Sequence, residues 1–181
     1  MQPSLLSFRA ATVADTDAVV ALVEAAYRGQ SSRAGWTTEA DFLDGHRTWP
    51  EDVQALIAQP HSRIVLGEGR PVSGSTPLLA CAHVAVEDGA GYFGMFSVRP
   101  GLQNAGIGKA MLAQAERIIR DEWALATMRM TVIDIRSELI AWYERRGFIR
   151  TGIKKPFPYG DERFGKPKRD DLRFEVLEKT F

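Results

Sequence analysis

The chain has 181 residues, 45% of them hydrophobic and 25% charged, which is enough to bury a core and predicts a single domain over residues 1–181. Lysine plus arginine equals aspartate plus glutamate at 23 each, so overall charge gives no attraction to nucleic acid or an anionic membrane, and neither is expected as a partner. No basic segment followed by an apolar stretch opens the sequence and no window approaches a bilayer span, which predicts a cytoplasmic protein.

In chain order, residues 6–9 read as a short strand, and Thr12 with Asp15 forms a capping box. Val19, Leu22, Val23 and Ala26 then recur at i, i+3, i+4 and i+7, the apolar stripe of a helix that Gly29 stops. Residues 31–36 are small and polar around one aromatic and read as a loop, while residues 38–44 and 51–58 read as short helices before Pro60. Strands over residues 63–67 and 78–87 flank a Gly/Pro/Ser-rich turn, and a third over residues 92–98 follows Asp88-Gly89, which predicts an antiparallel meander. Cys81, the single cysteine, lies in the second of these strands with no partner for a disulfide or for zinc and reads as a small core residue.

The next segment, Val98-Arg99-Pro100-Gly101-Leu102-Gln103-Asn104-Ala105-Gly106-Ile107-Gly108-Lys109, carries the most information. It follows a strand and opens a helix whose face is Ile107, Met111, Leu112, Ala115, Ile118 and Ile119, so it is a glycine-rich strand-to-helix turn. Such a turn binds anions: glycine lacks the Cβ that would hold a phosphate off the main chain, and the first helical amides have no internal partner and carry the positive end of the dipole. A P-loop is excluded because Ile107 stands where its lysine should be and, in the shifted frame, Gln103 and Ala110 replace the first glycine and the hydroxyl. A dinucleotide fingerprint is excluded because Gly106-Ile107-Gly108 is followed by Lys109, Ala110 and Met111. Residues 128–133 read as a strand, so strand, helix and strand make a parallel crossover. A helix over residues 137–146 ends at Gly147, and residues 148–152 and 172–179 read as closing strands. The fold class is α/β, a mixed and mostly antiparallel sheet with one parallel crossover, and in open sheets of this kind ligands bind beyond the carboxyl ends of the strands.

Gln103, Gly106 and Gly108 form Gln-x-x-Gly-x-Gly after a Val-x-Pro, and downstream Tyr143-Glu144-Arg145-Arg146-Gly147-Phe148 forms Tyr-Glu-x-x-Gly-Phe. Together these motifs resemble the GCN5-related N-acetyltransferase (GNAT) family. The resemblance implies that family's fold, with helices on both faces of the sheet, acetyl-CoA as cosubstrate, no metal, and direct attack by an amine in a ternary complex. It implies that the diphosphate of CoA rests on the turn formed by Gln103, Asn104, Ala105, Gly106, Ile107, Gly108 and Lys109. The pantetheine arm would pair with main-chain groups of Phe96 and Val98, and a main-chain N–H near Phe96 or Ser97 would meet the oxyanion. Tyr143 takes the family position whose phenol protonates the departing thiolate.

Two departures from the family pattern follow. Residues 92–98 contain no carboxylate or histidine, so the proton of the amine needs another exit; Glu87 is the first candidate, with Asp88, His83 and Asp134 as other ends of a water chain. Where many relatives have an asparagine before the later helix this chain reads Asp134-Ile135-Arg136-Ser137, which makes Asp134 or Arg136 a candidate contact to the cofactor. The segment 154–169 mixes aromatics with charge and reads as a long loop between the last two strands; the resemblance implies that this loop flanks the acceptor pocket, so Tyr159, Asp161 and Glu162 are assigned to the acceptor with Gly35 and Trp36. The expected acceptor is a small-molecule or peptide amine, and the pairing common among relatives makes a homodimer the oligomer to test. Plainer readings stand beside these: Gly-x-Gly as a tight packing connection, Tyr143 as core, His83 as a satisfied buried imidazole, and the whole chain as a CoA-binding sensor without chemistry.

Overall fold

The structure, a computed structural model, describes residues 6–35, 37–102 and 105–181. Its main sheet has seven strands in the order β1-β3-β4-β5-β6-β9-β7. Strands β3 (Ser62–Glu68), β4 (Leu78–Glu87) and β5 (Ala90–Val98) form the expected meander. Asp88 and Gly89 both take positive φ, 48° and 74°, the two-residue turn whose twist matches that of the strands it joins. Helix α4 (Ile107–Arg117) carries the chain to β6 (Thr127–Ile133), which lies parallel to β5; all other pairings are antiparallel. The C-terminal strand β9 (Arg173–Thr180) inserts between β6 and β7 (Ile149–Pro156), and β1 (Ser7–Ala10) borders β3 at the opposite edge.

Alternation along the strands divides the core between the two faces. Val65 of β3 joins Phe93, Met111, Ile119 and Ile140 beneath α4 and α5 (Ser137–Glu144). Its neighbours Ile64 and Leu66 join Val19, Val23 and Val53 beneath α1 (Thr16–Tyr27) and α3 (Pro50–Ala58). Helices therefore cover both faces, and among the described residues no helix is long and apolar enough to cross a membrane.

Three local readings are corrected. Residues 38–44 are not a helix: Glu39 and Ala40 turn inward, and β2 (Leu43–Asp44) pairs with β8 (Lys166–Pro167) of the long loop, a tertiary pairing that overrides local propensity. Residues 29–32 form a helical turn, α2 (Gly29–Ser32), rather than a loop extending from residue 31. The long segment 154–169 is also more structured than a plain loop, since β7 runs to Pro156 and a short 3-10 turn, Glu162–Phe164, precedes β8.

Candidate active site

Strands β5 and β6 pair only at Gly91 with Met128 and Tyr92 with Arg129, then diverge toward Val98 and Ile133. The divergence coincides with a bulge. Cys81 opposes Ser97 whereas His83 opposes Gly94, so β5 holds one residue more than β4 across this interval, and Met95 takes φ 50°, a conformation that a side chain rarely adopts without surrounding support. That support comes from the opposite face: the Tyr27 hydroxyl at the end of α1 donates to the Phe96 carbonyl at 2.5 Å, and Ser97 Oγ donates to the Met95 carbonyl at 3.2 Å. Between the parted strands lies a cavity of about 230 Å³. Phe93, Met95 and Phe96 line it from β5, Met130 and Val132 from β6, and Tyr143 from α5.

Beside this cleft, α4 begins as the turn chemistry requires. Gly106 caps it with φ 80°, and a Cβ there would meet nothing within 4 Å, so the residue is glycine for its backbone conformation and its outer side is open. Gly108 is glycine for a different reason, since a Cβ would stand 3.2 Å from Phe96 Cζ and 3.8 Å from Trp142 Cζ2. One turn thus packs closely at Gly108 and stays open at Gly106. Lys109 is exposed at the first turn, and the amides of residues 107–109 precede the first possible i−4 acceptor within the helix.

The opposite side of the cleft is charged. Glu39, only 5% exposed, accepts from Arg28 Nη1 and, at 3.2 Å, from Arg136 Nη1. Arg136 Nη2 donates to the Thr37 carbonyl at 2.6 Å, and Arg47 Nε stands 4.0 Å from Glu39. Burial pushes the Glu39 carboxyl up, but Arg136, Arg47 and Arg28 outweigh burial and hold it below the usual range. The phenols nearby go the other way: burial raises Tyr27 to about 12 and raises Tyr143 and Tyr92 as well, against the pull of neighbouring arginines.

The residues expected from sequence distribute unevenly. Tyr143, Phe96 and Arg136 meet at the cleft. Ser97 and Val98 are buried in β5 behind it, and Ala105 to Lys109 form the adjoining turn. Gln103, Asn104 and Trp36 lie outside the described residues. Glu87 is exposed at the β4–β5 hairpin, the end of β5 remote from Val98, so the structure does not bring it to the cleft. His83 is buried, its Nε2 2.8 Å from Ser62 Oγ and its pKa lowered to about 4 by burial, which is the satisfied core imidazole of the plainer reading. Nor do Tyr159, Asp161 and Glu162 line the cavity. Tyr159 staples its own loop through the Arg169 carbonyl and the Leu172 amide, Asp161 caps the 3-10 turn and pairs with Arg163, and Glu162 pairs with Lys166. The same loop contributes Phe157 and Phe164 instead.

Sequence reasoning missed Tyr27, Arg28, Glu39 and Arg47. Arg136 and Glu39 stand 97 positions apart, and no local spacing announces such a pair.

With this geometry in place, the comparisons fall into order. Residues 61–150, from β3 through α4 to the start of β7, match the model of the acetyltransferase (GNAT) domain. The chain carries a GNAT acetyltransferase domain. Spermidine/spermine N-acetyltransferase SpeG from Vibrio cholerae matches its fold with a TM-score of 0.65 at 13% identity, over 98% of this chain and 93% of that one. Nourseothricin acetyltransferase matches with a TM-score of 0.64 at 16% identity, over 98% and 99%. The ribosomal-protein-S18-alanine N-acetyltransferase from Escherichia coli matches with a TM-score of 0.65 at 16% identity, over 97% and 93%. No curated protein matches the sequence. At these identities the likeness to solved structures speaks for the fold, which in this GNAT domain is the mixed seven-stranded sheet with one parallel pair and helices on both faces.

Proposed function

We propose that this GNAT domain is an N-acetyltransferase that moves an acetyl group from acetyl-CoA to an amine by direct attack while both are bound. The observation that carries the reading is the joint arrangement of two features: a cleft opened where β5 leaves β6, holding the Tyr143 phenol, and a helix start beside it whose first amides lack an acceptor within the helix, next to a Gly106 with open space where a Cβ would stand. The second feature fits a diphosphate and the first fits the thioester arm; CoA, when bound, supplies the acyl group.

The chain's own residues have four tasks. Amides at the start of α4, with Lys109, hold the phosphates. The unpaired edge of β5 offers main-chain groups to the arm and to the carbonyl oxygen as charge develops on it. Phe93, Phe96 and Met130 exclude water from the reacting atoms. Tyr143, kept neutral by burial, donates its O–H to the departing sulfur; its raised pKa makes it a hydrogen-bond donor throughout and leaves net protonation of the thiolate to solvent. Glu39 is the single acid among the described residues lining the cavity and is held ionised by arginines, so it is a poor base, and the amine sheds its proton to water before attack.

Release of free thiol from acetyl-CoA over a library of amines tests this. Wild-type protein releases thiol above background with at least one amine, and Tyr143→Phe slows that release about 100-fold with acetyl-CoA affinity retained. Binding of acetyl-CoA without thiol release from any amine would favour a sensor that keeps the site and lacks the chemistry, a reading supported by the placement of Glu87 and His83 away from the cleft. The neighbours' acceptors, spermidine or spermine and an alanine of ribosomal protein S18 by their names, differ too much from each other to designate one here.

A further inference from the structure

Glu39 is one carboxylate among three guanidiniums, and its two oxygens are already taken by Arg28 and Arg136. What remains is cationic. Arg28 is 6% exposed, yet its Nε and Nη2 are buried with no hydrogen-bond partner among the described residues. Arg47 stands beyond hydrogen-bond distance of Glu39, its guanidinium 5.1 Å above the Tyr27 ring and its side chain 34% exposed. Both line the cavity that holds Tyr143, and no other acid lines it among the described residues. Two positive charges at one half-open cavity, one with unmet N–H groups, form a built receptor for an anion.

That anion is distinct from the CoA diphosphate. Tyr27 packs with the core beneath α1, whereas Ile107 at the start of α4 and Tyr143 pack with the core on the other face. The phosphate turn thus lies on one face of the sheet, whereas Arg28 follows Tyr27 in the chain and Arg47 stands over the Tyr27 ring toward the other, with the cleft between the parted strands joining them. A thioester entering from α4 meets an acceptor entering from the arginine side.

We propose that the acceptor of this domain is an amine that also bears a carboxylate, an amino acid or a close analogue, whose carboxylate is held by Arg47 and the free N–H groups of Arg28. This rests on the N-acetyltransferase reading and narrows it. The planar fork of arginine matches the two oxygens of a carboxylate, and the same charges repel a polyamine.

Matched acceptors test the proposal: alanine, phenylalanine and glutamate, each as free acid and as α-amide, with spermidine as a polycation. The expected kcat/KM, measured by thiol release, is tenfold or more higher for the acids, although the amides have the more easily deprotonated amines. Arg47→Gln abolishes that preference by raising KM for the acids, while Arg120→Gln, which removes a charge from an exposed pair with Asp121, leaves it intact. Equal or better turnover of the amides or of spermidine, or a preference unchanged in Arg47→Gln, overturns the proposal. A binding arm without CoA separates it from the catalytic reading. The three free acids and their N-acetyl forms raise the melting temperature of wild-type protein and not of Arg47→Gln; no shift with any of them overturns the anion subsite, whatever acetyl-CoA does.

Discussion

Replacing Glu39 with glutamine would leave Arg28 and Arg136 facing one another with no counter-charge. Removing one partner of a buried ion pair costs far more than the pair itself contributes, so Glu39→Gln is expected to destabilise the fold by about 3 kcal/mol, a fall in melting temperature of roughly 10 °C. A thermal melt unchanged from wild type would show that the cluster is looser than its geometry. Because the folded pKa of Glu39 lies below its unfolded value, this stabilisation is present above about pH 4.3 and is lost as pH falls through the folded value. At this scale Tyr143 was legible in the sequence because Tyr-Glu-x-x-Gly-Phe marks it. Glu39 was not, because its environment is assembled from Arg28, Arg47 and Arg136 in three separate segments, and a lone glutamate in a polar stretch reads as solvated surface.

Among elements, the bulge of β5 depends on a helix from the other face. Tyr27→Phe removes the hydroxyl that donates to the Phe96 carbonyl and is expected to cost about 1 kcal/mol, or 2–4 °C of melting temperature. Turnover should fall by more than that loss explains, since Phe96 belongs to the edge of β5 that faces the cleft; a turnover equal to wild type would free the bulge from α1. The meander, the crossover helix and the glycine turn were readable in advance because each is signalled locally, by alternation, by the stripe from Ile107 to Ile119 and by glycines whose reasons differ at 106 and 108. The pairing of β2 with β8 and the insertion of β9 between β6 and β7 were not, because register between distant segments leaves no periodic trace. That Tyr159, Asp161 and Glu162 do not line the cavity follows from the same gap. Once β2 pairs with β8, the loop turns Phe164 toward the cavity and keeps Tyr159 and Asp161 for its own hydrogen bonds.

For the molecule as a whole, Tyr27, His83 and Glu39 are all displaced from the middle of the pH range. Tyr27 stays protonated to about 12, His83 is neutral above about 4, and Glu39 is ionised throughout. Between pH 6 and 9 the rate at subsaturating acceptor should therefore rise with pH as the amine itself deprotonates, and level off at the amine's pKa. A bend between pH 5 and 7 that stays fixed when the amine is changed would identify a base in the protein.

The start of α4 is proposed to grip the diphosphate of CoA. Calorimetric titration of acetyl-CoA into wild-type protein, Gly106→Asn and Gly106→Asp tests it most directly, because both side chains tolerate the positive φ of residue 106 and they differ in charge alone. Wild type is expected to bind, the asparagine variant to bind more weakly and the aspartate variant not at all, because its carboxylate would meet the phosphates. Equal affinity for the two variants, or no heat from wild type at millimolar acetyl-CoA, would contradict it.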